Sequence, residues 1–496
     1  MNAGVLALPV AAPLLAAGVL LAVRDRQRWR RAVALGTHGG IAVLGAFLLL
    51  RTMDGAVLSL AVGAWPGGIS IVLAADALSA LLVLVTAVLV GLCLLFAFAT
   101  GDDTHRLFSP LVMALTAGAY GAYLTADLFN LFVFIEVMLA PSYVLLVLTG
   151  GRKRVAAARV YLSVSLLAST VLLIGIGLVY GLTGTVNLGA LAGAASRSPA
   201  VALAGAVPLV ALAIKAGVVP LHGWLPRVYP HATPAVVALF SGLLTKVGVY
   251  AMFRVYAVMY DGEPVYQWVF LVVAVASMLV GGIGSVGENT FRAILVFGMV
   301  SHIGYMMVGP ALFTDLALAA AIFYLVHHVL VKAALLMCAG AVEITYGTGR
   351  LDRLDGLVNR SPLLAVIFMI GAMSLAGVPP LSGFVAKLTI IRAAITEEQW
   401  LVGAVAAAVG VVTIVAMVKI WNNAFWGQDS TGGGWDDTGQ VVTLKKIRTS
   451  LLAPALVLVA FSIGFGIGAQ PLLTVAEAAA AGLLDTSGYV AAVISP

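Results

Sequence analysis

Long apolar stretches, repeated along the chain, are the feature that most restricts its fold. Hydrophobic residues make up 62% of the sequence and charged residues only 10%, whereas soluble proteins carry about 25% charged residues. A water-soluble fold cannot bury that much apolar surface, so the sequence predicts an integral membrane protein whose helices cross the bilayer with about 20 residues each. The stretches do not alternate with a period of two, which argues against an outer-membrane barrel.

Polar or Gly/Pro-rich breaks divide the apolar sequence into fourteen segments. They are residues 3–22, 32–50, 71–99, 107–125, 128–149, 159–182, 202–222, 234–259, 266–285, 291–309, 314–343, 363–396, 400–425 and 449–469. We therefore predict an all-α integral membrane protein with about 14 transmembrane helices. The tail, residues 470–496, is compatible with an interfacial helix or with disorder.

The positions of the basic residues support this count. If the helices alternate and the N-terminus lies outside, the inside loops hold eighteen Lys and Arg residues and the outside loops only two, Arg51 and Arg197. Cytoplasmic loops of membrane proteins are the basic ones, so both termini are predicted outside a bacterial plasma membrane. The net charge of +6 is thereby explained by topology and does not indicate nucleic-acid binding.

The first apolar segment could be mistaken for a signal peptide, and the two cysteines for a disulfide or a zinc site. The first apolar segment precedes its basic residues, whereas a signal peptide places them before the apolar stretch, so it is predicted to be a retained helix. Cys93 and Cys338 both lie inside apolar segments and are predicted to be small core residues, without a disulfide or a zinc site.

A short motif recurs 160 residues apart, as GVVPLHG at 217–223 and GVPPLSG at 377–383. Pro220, Pro379 and Pro380 remove backbone donors and interrupt the helix, and broken backbone at membrane depth is tolerated only inside protein or beside water. We predict that the seventh and twelfth segments are discontinuous, interior and hydrated. The alternative is a simple packing kink.

The repeated motif also predicts the organisation of the chain. Two five-helix units in opposite orientation are typical of transporters. The predicted parts are helices 1–3 in residues 1–106, the first unit in 107–260, the inverted unit in 261–427, and a cytoplasmic loop, last helix and tail in 428–496.

Five ionisable residues lie in the middle of apolar segments: Glu136, Lys215, Lys246, Lys332 and Lys387. Each costs about 2.5–3.5 kcal/mol at a helix centre, and their sum exceeds a typical net folding stability of about 5–15 kcal/mol. They must therefore be paired, hydrated or partly neutral. Burial favours the neutral form of a lysine and a nearby carboxylate favours its charged form, so such residues can pass protons. The alternative for Glu136 and its partner is a structural ion pair.

The eleventh segment adds two adjacent histidines, His327 and His328. Tyr324, His328 and Lys332 follow each other at intervals of four residues and so share one helix face. His327 points about 100° away from that face. Glu343 would extend the face toward the cytoplasm, and Lys419 is a further candidate, although a lysine near a helix end commonly extends its ammonium group to the interface.

The remaining polar residues of the spans are assigned structural positions. His222, His231 and His302 are predicted to be hydrogen-bonded core residues. Arg254 and Arg392 are predicted to lie near helix ends.

Three stretches carry a resemblance to a known family. They read DLFNLFVFIEVMLAPSYVLL (127–146), KAGVVPLHGWLPRVYPHATPAVVALFSGLLTKVGVYAMFR (215–254) and GVPPLSGFVAKL (377–388). They resemble the proton-translocating subunits shared by respiratory complex I, membrane-bound hydrogenases and Mrp-type multisubunit cation/proton antiporters. The resemblance extends over about residues 70–425, and among the three groups the chain looks most like the Mrp-type antiporters.

The resemblance implies a role for each mid-membrane residue. Glu136 and Lys215 would be the coupled ion pair and Lys246 the central relay. His327, His328 and Lys332 would bridge the two halves, and Lys387 would be the terminal lysine. It also implies two inverted units with broken seventh and twelfth helices, and other subunits of a complex as partners.

The expected function is proton translocation within a multisubunit Na⁺/H⁺ antiporter. The sequence shows no nucleotide fingerprint, metal cluster or haem motif, so no cofactor or metal is predicted, and an ion gradient or partner subunits must supply the energy. Sodium prefers oxygen ligands and is repelled by a path lined with lysines, so we expect it to cross in another subunit. The alternatives are a proton-pumping subunit of complex I or a hydrogenase, and a membrane scaffold with vestigial lysines.

Overall fold

A computed structural model of the chain describes residues 3–22, 26–65, 70–426, 434–435, 441–442 and 446–496. Over these residues the chain is predominantly helical. The α-helices are α1 (Leu8–Ala22), α2 (Gln27–Thr52), α3 (Ala77–Thr100), α4 (Phe108–Leu124), α5 (Leu128–Val147), α6 (Arg152–Thr183), α7 (Ala194–Arg197), α8 (Pro199–Ala216), α9 (Trp224–Val228), α10 (Pro234–Tyr260), α11 (Gln267–Gly287), α12 (Phe291–Leu312), α13 (Asp315–Tyr346), α14 (Leu357–Arg360), α15 (Pro362–Ala376), α16 (Ser382–Thr396), α17 (Trp400–Ile420), α18 (Thr449–Ile467), α19 (Gln470–Leu484) and α20 (Ser487–Ile494).

Each of the fourteen apolar segments contains helix. In the described part of the chain, twelve helical spans are long and apolar enough to cross a membrane. The fourth segment forms α4, which has only 17 residues. The twelfth is divided between α15 and α16, of 15 residues each. The all-α membrane class is confirmed, whereas fourteen crossings and the inverted units remain predictions.

A β-hairpin between α2 and α3 was not predicted. Its strands are β1 (Leu58–Ala61) and β2 (Val72–Ala75), paired antiparallel with Leu58 opposite Ala75. The third apolar segment, expected from residue 71, therefore begins as a strand. Its helix starts only at Ala77, because Asp76 accepts a hydrogen bond from the backbone of Ser79 and caps the helix. A second antiparallel pair joins β3 (Gly434–Trp435) and β4 (Val441–Val442).

The two most deeply buried helices are α10 and α13, which pack against each other. Their best 18-residue windows are wholly buried inside the protein. A helix that is apolar on all sides and surrounded by other helices forms the core of a bundle. These two helices carry Lys246, the adjacent histidines and Lys332, so these four predicted relay residues lie at the centre of the molecule and not at its lipid-facing surface.

Three other sequence expectations can be checked against the helices. The sixth apolar segment was expected to start at residue 159, but its helix, α6, already begins at Arg152. The tail forms α19 and α20, so the disordered alternative is wrong. Cys93 and Cys338 are buried and free, as predicted. Of the basic residues counted in the inside loops, Arg24 and Lys445 lie outside the described residues.

Candidate functional site

Glu136 and Lys215 lie together at the junction of α5, α6 and α8. The Lys215 ammonium donates a hydrogen bond of 2.9 Å to Ser169 Oγ, and the serine hydroxyl donates in turn to Glu136 Oε1. Lys215 Nζ is 3.9 Å from the same carboxylate oxygen. Ser169 therefore connects the two side chains through a continuous pair of hydrogen bonds.

A cavity of about 20 Å³ adjoins Lys215 and is bordered by Leu244, Val247 and Gly248 of α10. This volume is enough for about one water molecule. α8 and α10 approach closely here, because a Cβ on Gly248 would lie 2.9 Å from the backbone nitrogen of Ala216. Water in this cavity would lie between Lys215 and the turn of α10 that also contains Lys246.

Replacing Ser169 with alanine should weaken the coupling of Lys215 to Glu136. A hydrogen bond to a charged group contributes about 1.5–3 kcal/mol, so we expect Ser169→Ala to lower the antiport rate of the complete complex by about tenfold. Ser169→Thr, which keeps the hydroxyl, is the matched control. Equal rates for the alanine and threonine variants would contradict a role for the hydroxyl.

The first break separates α8 from α9. Gly217 ends α8 in the left-handed conformation, at φ 77°, and its N–H donates to Ala213 O. This is the standard way in which glycine ends a helix. The carbonyl of Ile214 accepts two hydrogen bonds, from the Gly217 N–H at 3.2 Å and from the indole Nε1 of Trp224 at 2.8 Å. The backbone N–H of Val219 donates to Ser277 Oγ at 3.0 Å.

The second break, between α15 and α16, is built in the same way 160 residues later. Gly377 ends α15 at φ 92°, and its N–H donates to Met373 O. Here the partner of the freed carbonyl is a lysine, because Lys387 Nζ donates to Ala376 O at 3.0 Å. The interruption predicted from the prolines is therefore present in both halves, and in each a side chain from beyond the break donates a hydrogen bond to a carbonyl in the last turn of the helix before it.

Lys246 lies in the interior of α10 and is only 1% exposed. Its ammonium donates to Ser241 O at 2.6 Å and to Thr245 Oγ1 at 3.2 Å, both on its own helix. Among the described residues, no carboxylate forms an ion pair with it. Lys246 thus differs from Lys215, since nothing of opposite charge holds its proton in place.

The predicted face of α13 is present and gains a residue from α12. His302 Nδ1 is 2.6 Å from the Tyr324 hydroxyl, and its ring lies 5.0 Å from that of His328. His302 was assigned to the general core from sequence, and this assignment missed its position between Tyr324 and His328.

The two adjacent histidines face different neighbours. His328 faces His302, whereas His327 Nδ1 is 2.8 Å from Ser382 Oγ at the start of α16. Ser382 continues into a hydroxyl cluster with Ser462, at 2.8 Å, and Ser374. The helix-face argument favoured His328, but in the described part of the chain only His327 has a hydrogen-bond partner, and neither ring nitrogen of His328 has one.

Lys332 and Lys387 complete the row. Lys332 Nζ donates to Leu295 O at 3.0 Å and borders a cavity of about 10 Å³ that is also lined by His302 and Thr413. Lys387 Nζ lies 5.2 Å from the centroid of the Tyr305 ring, within cation–π range.

The two secondary candidates have structural partners outside the row. Glu343 accepts a hydrogen bond from Arg292 of α12. Lys419 Nζ donates to Val286 O at 2.8 Å and Glu288 O at 2.7 Å. It therefore caps the C-terminal end of α11 and does not extend to the interface as a free ammonium group. Arg254, expected near a helix end, is instead fully buried against Asp76.

A family model described as NADH:quinone oxidoreductase/Mrp antiporter, TM, matches residues 125–415, more than half of the chain. The matched region contains both breaks, Glu136 and all four central lysines. The chain belongs to this family. The family resemblance noted in the sequence is thereby confirmed.

Within the family, the chain is more similar to the Mrp-type relatives below, including a D-type antiporter chain, than to the complex I relative. The D-type chain of the Na(+)/H(+) antiporter of Alkalihalophilus pseudofirmus is 36% identical, with 98% of each chain covered. A chain in the solved Mrp complex from Dietzia sp. DQ12-45-1b is 46% identical, with a TM-score of 0.96 and 100% of both chains covered. A chain of respiratory complex I from Thermus thermophilus is 26% identical, with a TM-score of 0.79 and coverage of 98% and 100%.

Proposed function

We propose that this chain is the D-type member of a multisubunit Na⁺/H⁺ antiporter and carries the protons. The observation that supports this most directly is a row of four buried lysines on α8, α10, α13 and α16, with one carboxylate at its start and histidines near its centre. Its relatives named as antiporter subunits favour this over an enzyme. The relay we propose runs through Glu136, Lys215, Lys246, His328 and His327, Lys332 and Lys387.

The chemistry of the relay follows from the different partners of the lysines. Lys215 is held by a carboxylate and a hydroxyl, so it keeps its proton until that contact loosens. Lys246 has only oxygen acceptors of its own helix, so it can lose its proton without leaving a buried carboxylate unpaired. The histidines and the Ser382 cluster then offer alternating donors and acceptors toward Lys387.

The arrangement also favours separate paths for the two cations. Sodium is a hard cation that takes oxygen ligands, and four ammonium groups in one row repel it. We infer that sodium crosses in another subunit. Glu136, at mid-span, has a side chain that is 32% exposed. A carboxylate facing lipid would be costly, so we infer that a neighbouring subunit covers it.

The orientation that we propose follows from the basic loops. Both termini would lie outside a bacterial cell membrane, with the basic first turn of α6 and the basic connection between α13 and α15 on the cytoplasmic side. The second candidate function, a proton-pumping subunit of a redox complex, is favoured only by the complex I relative, which is less similar.

The driving force distinguishes these two functions. The purified complex containing this chain would be placed in vesicles with a pH-sensitive dye and no redox substrate. We expect an imposed sodium gradient to move protons in the opposite direction, and a complex lacking this chain to move none. Proton movement that required oxidation of a redox substrate would favour the pump, and activity without the chain would favour a scaffold.

A further inference from the structure

A cavity of about 500 Å³ lies at the end of the molecule opposite the basic loops, outside the relay described above. It is formed by the turn after α2, the start of α3, and helices α19 and α20. Three carboxylates line it, those of Asp54, Asp76 and Asp485, and no Lys or Arg does. An acidic cavity of this kind concentrates cations, including protons, from the adjoining water.

Asp76 at the base of this cavity is joined to a buried arginine. Asp76 is 6% exposed and accepts hydrogen bonds from Arg254 and, at 2.9 Å, from the backbone of Ser79. Arg254 is 2% exposed. Its Nε and Nη1 atoms have no hydrogen-bond partner in the part of the chain that the structure describes. Buried donors of this kind are normally satisfied, and an ordered water is one partner that they could have.

Two tyrosines enclose the guanidinium. The ring of Tyr489, which lines the cavity, lies 4.5 Å from Arg254 Cζ, and the ring of Tyr250 lies 5.6 Å away. Lys246, Tyr250 and Arg254 are spaced at four-residue intervals, so they share one face of α10. Eight residues of helix correspond to about 12 Å. The polar face of α10 therefore leads from the acidic cavity to the central lysine, and Arg254 lies between them.

An arginine in this position cannot pass a proton on. Its guanidinium stays charged at every physiological pH, and a fixed positive charge in a pore repels a second one. We propose that Asp76, Arg254 and Tyr489 form an outer barrier between the acidic cavity and Lys246, which lets protons through only when the Asp76–Arg254 pair opens. This inference rests on the proposed relay function.

Loss of the positive charge should make the barrier leak. In vesicles carrying the intact complex, an acid pulse would be applied to the outer face without sodium while an internal dye follows proton entry. We expect Arg254→Gln to increase passive entry about tenfold, the effect of one charge about 12 Å away at an effective dielectric constant of about 20. Arg254→Lys keeps the charge and should remain close to the native rate.

Further variants show whether the path reaches the relay. Adding Lys246→Ala to Arg254→Gln should remove the leak, and a persistent leak would overturn the proposed path. An assembled Arg254→Gln complex with native leak would overturn the barrier itself. If Arg254→Gln does not assemble, Tyr489→Leu keeps the ion pair but removes its cover. The Tyr489→Leu complex should then show a smaller proton leak, and a Tyr489→Leu complex without any leak would also overturn the barrier.

The barrier and the proposed function can fail separately. Retained antiport in the Lys246→Ala variant alone would refute the relay, whatever the leak of Arg254→Gln. If Lys246→Ala lost antiport as expected but the Arg254→Gln complex showed no increase in passive proton entry, only the barrier would be refuted. A purely structural ion pair would lower assembly in the Arg254 variants without increasing proton entry.

Discussion

Sodium-driven proton movement by the complete complex should fall by about a hundredfold when Lys246 is replaced by alanine, the lower end of what a positioned proton-transfer group contributes. Lys246 is fully buried at the centre of α10, which packs against α13, the helix that carries His328 and Lys332. Its removal interrupts the row between its two ends. The measurement is dye-monitored proton movement in vesicles after a sodium step, normalised to the amount of assembled complex.

The fold should tolerate this change, which makes the loss of transport informative. Lys246 bonds only to acceptors on its own helix, so alanine leaves no buried counter-charge unpaired and avoids the large cost of breaking a buried ion pair. Lys246→Arg tests the proton-carrying role further. Arginine keeps the positive charge but does not deprotonate, so we expect this variant to be nearly as inactive as alanine.

The matched control is Lys446→Ala, which removes an exposed lysine before α18. It should leave transport and assembly at native levels. Near-native antiport by Lys246→Ala would refute the relay. Near-native antiport by Lys246→Arg would show that Lys246 supplies a fixed charge and does not carry protons.

The sequence predicted most of the fold because the membrane imposes strong physical constraints. Apolar length identified fourteen helical segments, and the prolines identified both breaks. The hairpin β1–β2 was missed because residues 71–76 are as apolar as the helix that follows them. Only Asp76 marks the boundary, and a single acidic residue within an apolar stretch could equally have been a mid-membrane charge.

The candidate site was predictable in composition but not in its contacts. Glu136 and the four central lysines could each be identified from the sequence alone, because a single charged residue in the middle of a membrane span has a large unfavourable insertion free energy. His302 and Ser462 are inexpensive single polar residues in apolar segments, so their sequence gives no sign of the neighbours they meet. The pairing of Arg254 with Asp76 joins residues 178 positions apart, and only the packing of α10 against α3 brings them together.

The second break should fail when Gly383 is replaced by alanine. A Cβ at this position would lie 1.7 Å from Ser374 O and 3.0 Å from His327 Cε1. The first contact is with backbone and cannot be relieved by a rotamer change, so α15 and α16 would have to separate. We expect a destabilisation of about 3 kcal/mol, the upper end of the cost of overpacking, seen as less assembled complex and a lower thermal aggregation temperature after detergent extraction.

A matched control and a second variant separate packing from proton transfer at this break. Gly39→Ala adds the same methyl group to α2, where nothing lies within 4 Å, and should assemble normally. Ser382→Ala removes the hydroxyl facing His327 without adding bulk, so it should assemble normally but slow antiport. If Gly383→Ala assembled as well as Gly39→Ala, the close crossing of α15 and α16 would be wrong. His327 would then lack the rigid contact with Ser382 through which the second break joins the relay.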